Sequence, residues 1–356
     1  MNSLDTFAAK IPGAALLALA IAPAYVAGLL GHGSYVSFGI VAAIPAFVLG
    51  MMAGFELVFI MAVPTSLLAV GATAGSTNAL LGAAVLAVGA FLMNVTVLRP
   101  GGTIYLMQVI FLATWLVAPP LLEGKDPTAG GNLLALGLTE LVIVLWVGCI
   151  GASIHAKRSS FAMPSPTVRV AVASGIAGAL VLGVTAWFVV DHKLGHAGFW
   201  LLLTVCVVFH PFVPSPWTKA FHRIIGTLLG FAIVFAIVWI LPADAPSWAF
   251  LVPAIVFGYA MLTVLMSPTG SSSSYWLAVT FLTPMIVLLT GSTTKDGRDE
   301  AIRTLDISRL EATIAGVAIA LVCIAILYPF RDKIIAAPKV VEEAPADSPA
   351  VSSDSH

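Results

Sequence analysis

Long uncharged apolar runs alternate with short polar breaks along almost the whole chain. The runs over residues 57–98, 170–190, 197–218 and 245–294 contain no Asp, Glu, Lys or Arg. A membrane-spanning helix takes about 20 apolar residues, so the longest runs hold two spans each. A further apolar run, Ile11 to Leu30, follows a polar lead whose single positive charge, Lys10, comes late. That argues for a retained helix over a cleaved signal peptide. Breaks at His32-Gly33-Ser34, Phe55-Glu56, Gly75 to Asn78, Arg99 to Gly102 and Glu123 to Asn132 divide the first half into six spans. Breaks at Asp191 to Gly198, Pro211 to His222, Pro242 to Ser247, Ser267 to Ser274 and Thr293 to Ser308 divide the second half into six more. The pattern predicts an all-α polytopic bundle of about twelve transmembrane helices.

Composition agrees: 60% of residues are hydrophobic and 9% charged, against about a quarter charged in soluble domains. The chain belongs in a lipid bilayer, and a net charge of −1 leaves no basic face for nucleic acid. Cys149, Cys206 and Cys323 all lie in apolar runs, which argues against a disulfide framework or a metal site. With a cytoplasmic amino terminus, ten basic residues fall on inner segments and six on outer ones, the positive-inside pattern with both termini cytoplasmic. Residues 1–155 form the first six-helix repeat, 156–169 a cytoplasmic linker, 170–330 the second repeat, and 331–356 a polar tail that cannot bury a core.

Two periods of repetition support that division. Tyr105, Val109, Phe111 and Leu112 recur as Tyr275, Val279, Phe281 and Leu282, six spans apart and so in one orientation. Phe199-Trp200-Leu201 with Thr204 recurs as Tyr275-Trp276-Leu277 with Thr280, and Arg223, Thr227, Gly230 as Arg309, Thr313, Gly316. These copies stand three spans apart and point in opposite directions, as in the inverted repeats of many secondary transporters.

Gly226 with Gly230, and Gly316 with Ala312 and Ala320, remove side chains along one helix face so that a neighbour approaches closely. Such faces serve contacts within one chain as readily as a homo-oligomer. Ionisable groups at membrane depth are expensive, and five are expected to open apolar helices: Glu56, Glu140, Glu311, Arg223 and Arg309. Acids there complement the helix dipole. The arginines oppose it and call for carboxylate partners or an anionic substrate, with Glu56–Arg223 and Glu140–Arg309 as two gates of an alternating-access cycle. Gln108, Thr227 and Thr280 add polar candidates for a substrate path, and Trp200 and Trp276 are either stacking surfaces or interfacial anchors. His210 is a proton carrier or an interfacial residue before Pro211.

Phe199-Trp200, Pro211 and the run Arg223, Gly226, Thr227, Gly230 resemble the pattern of the fusaric acid resistance protein-like family of membrane exporters. The likeness runs over residues 170 to 330. It extends to Arg309, Thr313 and Gly316, but Ala312 stands where members carry an acid. Glu311 is one residue, about 100° of helix, away from that position.

The resemblance implies proton-coupled efflux of organic, chiefly aromatic, acids across a bacterial inner membrane. It also implies partnership with a periplasmic membrane-fusion adaptor and an outer-membrane channel. Proton coupling needs a group that changes charge, and Glu140 and Glu311 are the candidates. A passive organic-anion channel and a non-transporting membrane scaffold are the alternatives. No nucleotide-binding loop, nucleophile elbow or metal-binding helix motif occurs, so neither an enzyme nor a cofactor is expected.

Overall fold

The computed structural model describes residues 33–99, 105–122, 126–155, 167–209, 216–241, 247–265, 275–291 and 298–330, with five positions between 19 and 26. The described residues form ten α-helices and no strand. In chain order these are α1 (Gly33–Gly75), α2 (Ala79–Thr96), α3 (Leu106–Val117), α4 (Gly130–His155) and α5 (Val168–Asp191). There follow α6 (Gly195–Val208), α7 (Pro216–Ile240), α8 (Ser247–Leu265), α9 (Tyr275–Gly291) and α10 (Arg298–Leu327). His210, the linker residues 156–166 and the tail 331–356 lie outside the described residues, as does most of the first expected span.

Nine of the expected breaks concern described helices, and eight contain or adjoin a helix boundary, although α4, α6, α7 and α10 begin inside the expected breaks. The exception is Phe55-Glu56: α1 runs through it and bends at Gly54, whose φ of 76° lies outside the helical region. Glycine has no Cβ to oppose that geometry, so one residue turns the chain where the pattern suggests a loop. Two described breaks are built as their residues suggest. Asn78 caps α2 by accepting from the amides of Leu80 and Leu81, both at 3.1 Å. Asn132 fastens the loop before α4, accepting from the Leu122 amide at 2.5 Å and donating to the carbonyls of Pro120 and Pro127, both at 3.2 Å.

Among the described residues, six helices are long and apolar enough to cross a membrane: the larger part of α1, and α2, α4, α5, α7 and α10. At 1.5 Å per residue, α3 with 12 residues and α6 with 14 are shorter than a bilayer core of about 30 Å. Both were expected as full spans. Their apolar character serves burial in protein: every residue of α6 from Trp200 to Val208 is buried.

Close helix pairs build the bundle. In α1 against α4, a Cβ on Gly50 would strike the Gly148 carbonyl, and one on Gly151 the Phe47 carbonyl. α5, the first helix of the expected second repeat, packs along α2 of the first through Gly175, Gly178 and Gly183. In the second half α7 lies against α9, α10 against α6, and α8 covers α9.

The four buried or central ionisable residues do not open helices as expected. Their helices begin earlier, in the polar loops, so Arg223 lies in the third turn of α7, while Glu140, Arg309 and Glu311 lie in the interiors of α4 and α10. The dipole's influence fades within one turn, so it does not account for Glu140.

Candidate functional site

Lys219, Arg223, Gly226 or Thr227, and Gly230 follow one another at steps of three or four on α7, so they share one face. That face meets α9 at backbone distance. A Cβ on Gly226 would stand 2.5 Å from the Trp276 carbonyl oxygen, and one on Gly230 would strike Thr283. The contact carries Arg223, 1% exposed, to the start of α9, where Tyr275 stands. Lys219 Nζ lies 5.4 Å from the Tyr275 ring centroid, and Tyr275 sits in the electrostatic field of both Arg223 and Arg309. Among the described residues, Nε and Nη2 of Arg223 have no partner in hydrogen-bonding geometry, and the guanidinium lies close to the Tyr275 hydroxyl.

A matching contact joins α10 to α6. A Cβ on Gly316 would meet the Thr204 Cβ at 2.8 Å and the Leu201 carbonyl at 3.1 Å. It places Arg309, fully buried, with its guanidinium 3.8 Å from the Trp200 ring centroid. Arg309 Nη1 also donates to the Thr283 carbonyl at 3.2 Å, so one side chain ties α10 to α6 and α9. A desolvated cation–π contact of this kind is worth about 2 kcal/mol.

Four helices thus converge on three cationic side chains and a tyrosine. The buried hydroxyls of Thr204, Thr227 and Thr313, one each from α6, α7 and α10, have no hydrogen-bond partner among the described residues. Thr280 and Thr283 instead turn back to the carbonyls of Trp276 and Val279, each at 2.9 Å. No described carboxylate pairs with Lys219 or Arg223. A buried charge is tolerated when it is paired, and the described residues supply this cluster with donors and no carboxylate.

Of the sequence candidates, Arg223, Thr227, Thr280 and Arg309 belong to these four converging helices, held by Gly226, Gly230 and Gly316. Gln108 is buried in α3, which packs on α6, and its Nε2 has no partner among the described residues. Neither expected gate pair forms. Glu56 is exposed and pairs with Arg99, because the bend at Gly54 turns it outward beside the end of α2. Glu140 is buried in α4 near Tyr105, and no ion pair joins it to Arg309. Glu311 is exposed on the outward stripe of α10 with Ile307, Ile314 and Val322, while Ala312 faces inward. The 100° step between adjacent residues separates them.

Trp200 is neither an interfacial anchor nor an open stacking surface. It is 4% exposed, covered by Arg309 and set edge-on to Phe199 at 4.8 Å. Lys219 and Tyr275 were not singled out as site residues from sequence, though Lys219 stands one helical turn before Arg223 and Tyr275 opens the repeated aromatic pair.

No curated protein and no solved structure matches the chain. Residues 176–323 match the model of the fusaric acid resistance protein-like family, and this segment holds Trp200, Lys219, Arg223, Tyr275 and Arg309 alike.

Proposed function

We propose that the chain exports small organic anions, aromatic carboxylic acids foremost, across a bacterial inner membrane at the expense of the proton gradient. The observation that carries this reading is the burial of Arg223 and Arg309 with Lys219 around Tyr275, with unpaired hydroxyls on the same helices. A carboxylate entering there meets preorganised donors, and each charge-assisted hydrogen bond contributes about 1.5–3 kcal/mol. The family match over residues 176–323 and the six long apolar helices support a multi-pass transport protein.

The crosswise pairing of α7 with α9 and α10 with α6 supports the inverted-repeat reading, since related helices make related contacts across the site. About twelve spans, two six-helix repeats, cytoplasmic termini and a periplasmic adaptor complete the proposal. The short buried helices α3 and α6 fit a transporter built around interrupted helices.

The test is uptake of labelled aromatic and aliphatic acids into inside-out vesicles, with and without a proton gradient. Export predicts accumulation that collapses on uncoupling. Arg223→Gln should abolish it, and Arg309→Lys should fail to restore what Arg309→Gln loses, because an ammonium lacks the planar fork that stacks on Trp200 and reaches Thr283. Flux that follows only the anion's own gradient would replace the exporter with a channel. No flux for any acid, with a folded protein, would overturn both in favour of a scaffold.

A further inference from the structure

Glu140 presents a second polar centre that the anion site does not use. It lies in the interior of α4, fully buried, and neither carboxylate oxygen has a hydrogen-bond partner among the described residues. α4 packs along α1 with almost no gap, as Gly137 against Val70 and Gly148 against Val58 demonstrate. One buried tyrosine lies within its electrostatic reach. Tyr105, the N-cap residue of α3 and fully buried, lies in the electrostatic field of Glu140. Its hydroxyl is 3.2 Å from Thr65 Oγ1 on α1, itself 1% exposed.

No described neighbour carries a charge that answers the carboxylate. From α1 the groups nearest in register are Thr65 and Ser66, and the Ser66 hydroxyl is committed to the Ala62 carbonyl at 2.9 Å. The only charged residue described on α1 is Glu56, more than two helical turns from Thr65 and paired with Arg99. Among the described residues of α3 and its cap, Tyr105 is the one titratable group. An ionised carboxylate without donors is untenable at this depth, whereas a neutral carboxyl is tolerable. The charged form would need an O–H donor, and the Tyr105–Thr65 hydroxyl pair is the described source of one.

We propose that Glu140, served by the Tyr105 and Thr65 hydroxyls, is the proton-carrying site, built in the first half of the chain apart from the anion site. This rests on the proton-driven export proposed above. The step is a simple exchange: one proton bonds to a carboxylate oxygen, the charge changes by one, and the reverse releases it with no other bond broken. The route to the anion site is physical. Tyr105 sits at the head of α3, and α3 packs on α6, which carries Trp200 and Thr204. Coupling between the two centres therefore runs through the two short buried helices. Glu311, on the outward face of α10, takes no part.

The proton site is tested without any substrate, by infrared difference spectra of the full-length protein in lipid as pH is varied. The wild type should show a protonated-carboxyl band that titrates and is absent in Glu140→Gln. Glu140→Asp, which keeps the carboxyl should the amide disturb folding, should show the band displaced. Tyr105→Phe should move the midpoint by about one pH unit, the tenfold change in proton affinity that one hydrogen bond of about 1.4 kcal/mol to a single protonation state produces. A band that survives in Glu140→Gln, or a midpoint that Tyr105→Phe leaves in place, would overturn the proposal. So would a band abolished by sodium at constant pH, which would make the site one for an alkali cation.

Benzoate counterflow in proteoliposomes separates this from the transport reading. Glu140→Gln should retain exchange while its gradient-driven accumulation ratio falls to unity. Retained accumulation would overturn the role of Glu140. Absence of exchange in the wild type would instead count against benzoate transport, with the infrared result still deciding the proton site.

Discussion

Gly226→Ala is the sharpest perturbation of the contact that positions Arg223. The new Cβ would lie 2.5 Å from the Trp276 carbonyl oxygen and 2.7 Å from the Val279 Cβ, where ordinary contact begins at 3.4 Å. The obstructing atoms are backbone and a β-branched carbon, so no rotamer change relieves them, and α7 and α9 must part by about 0.9 Å. Overpacking of this kind costs about 1–3 kcal/mol. Gly131→Ala is the control: a Cβ there meets nothing within 4 Å, and alanine gains up to about 1 kcal/mol of helix propensity. Denaturant unfolding of both purified variants in one detergent should therefore separate them by about 1–3 kcal/mol or more. Acid uptake should fall with Gly226→Ala, since Arg223 lies one turn away on the displaced helix and loses its register with Tyr275. Equal stability and equal uptake in the two variants would refute the reasoning.

Two other perturbations test the arrangement around the site. Glu56→Gln should leave transport near wild type and cost under about 1 kcal/mol, because the Glu56–Arg99 pair is exposed; for the same reason Glu56→Arg should not rescue Arg223→Glu in uptake assays. Asn132→Ala should lower unfolding free energy by about 1–3 kcal/mol in a denaturant titration, since the bonds from the Asn132 side chain to the Leu122 amide and the Pro120 and Pro127 carbonyls are lost.

Class and chain punctuation were legible in the sequence because they depend on local free energies. Apolar runs of about 20 residues have one favourable solvent, the bilayer core, and Asn78 and Asn132 fix the starts of α2 and α4 through short-range side-chain hydrogen bonds. The family pattern likewise lies in contiguous spacing, so Arg223, Gly226, Thr227 and Gly230 could be assigned to one face before any neighbour was known. What those faces meet was decided only by tertiary structure. The partner of Gly226 is Trp276, and the partner of Arg309 is Trp200; both are set by which helices cross, and spacing within one helix carries no information about that. The same holds for the charges. Opposite sign suggested Glu56 with Arg223 and Glu140 with Arg309, but the bend at Gly54 delivers Glu56 to Arg99, and the packing of α4 on α1 seals Glu140 beside Tyr105. Charge attracts over distance, yet in a close-packed bundle the backbone contacts of small residues determine which side chains come within reach.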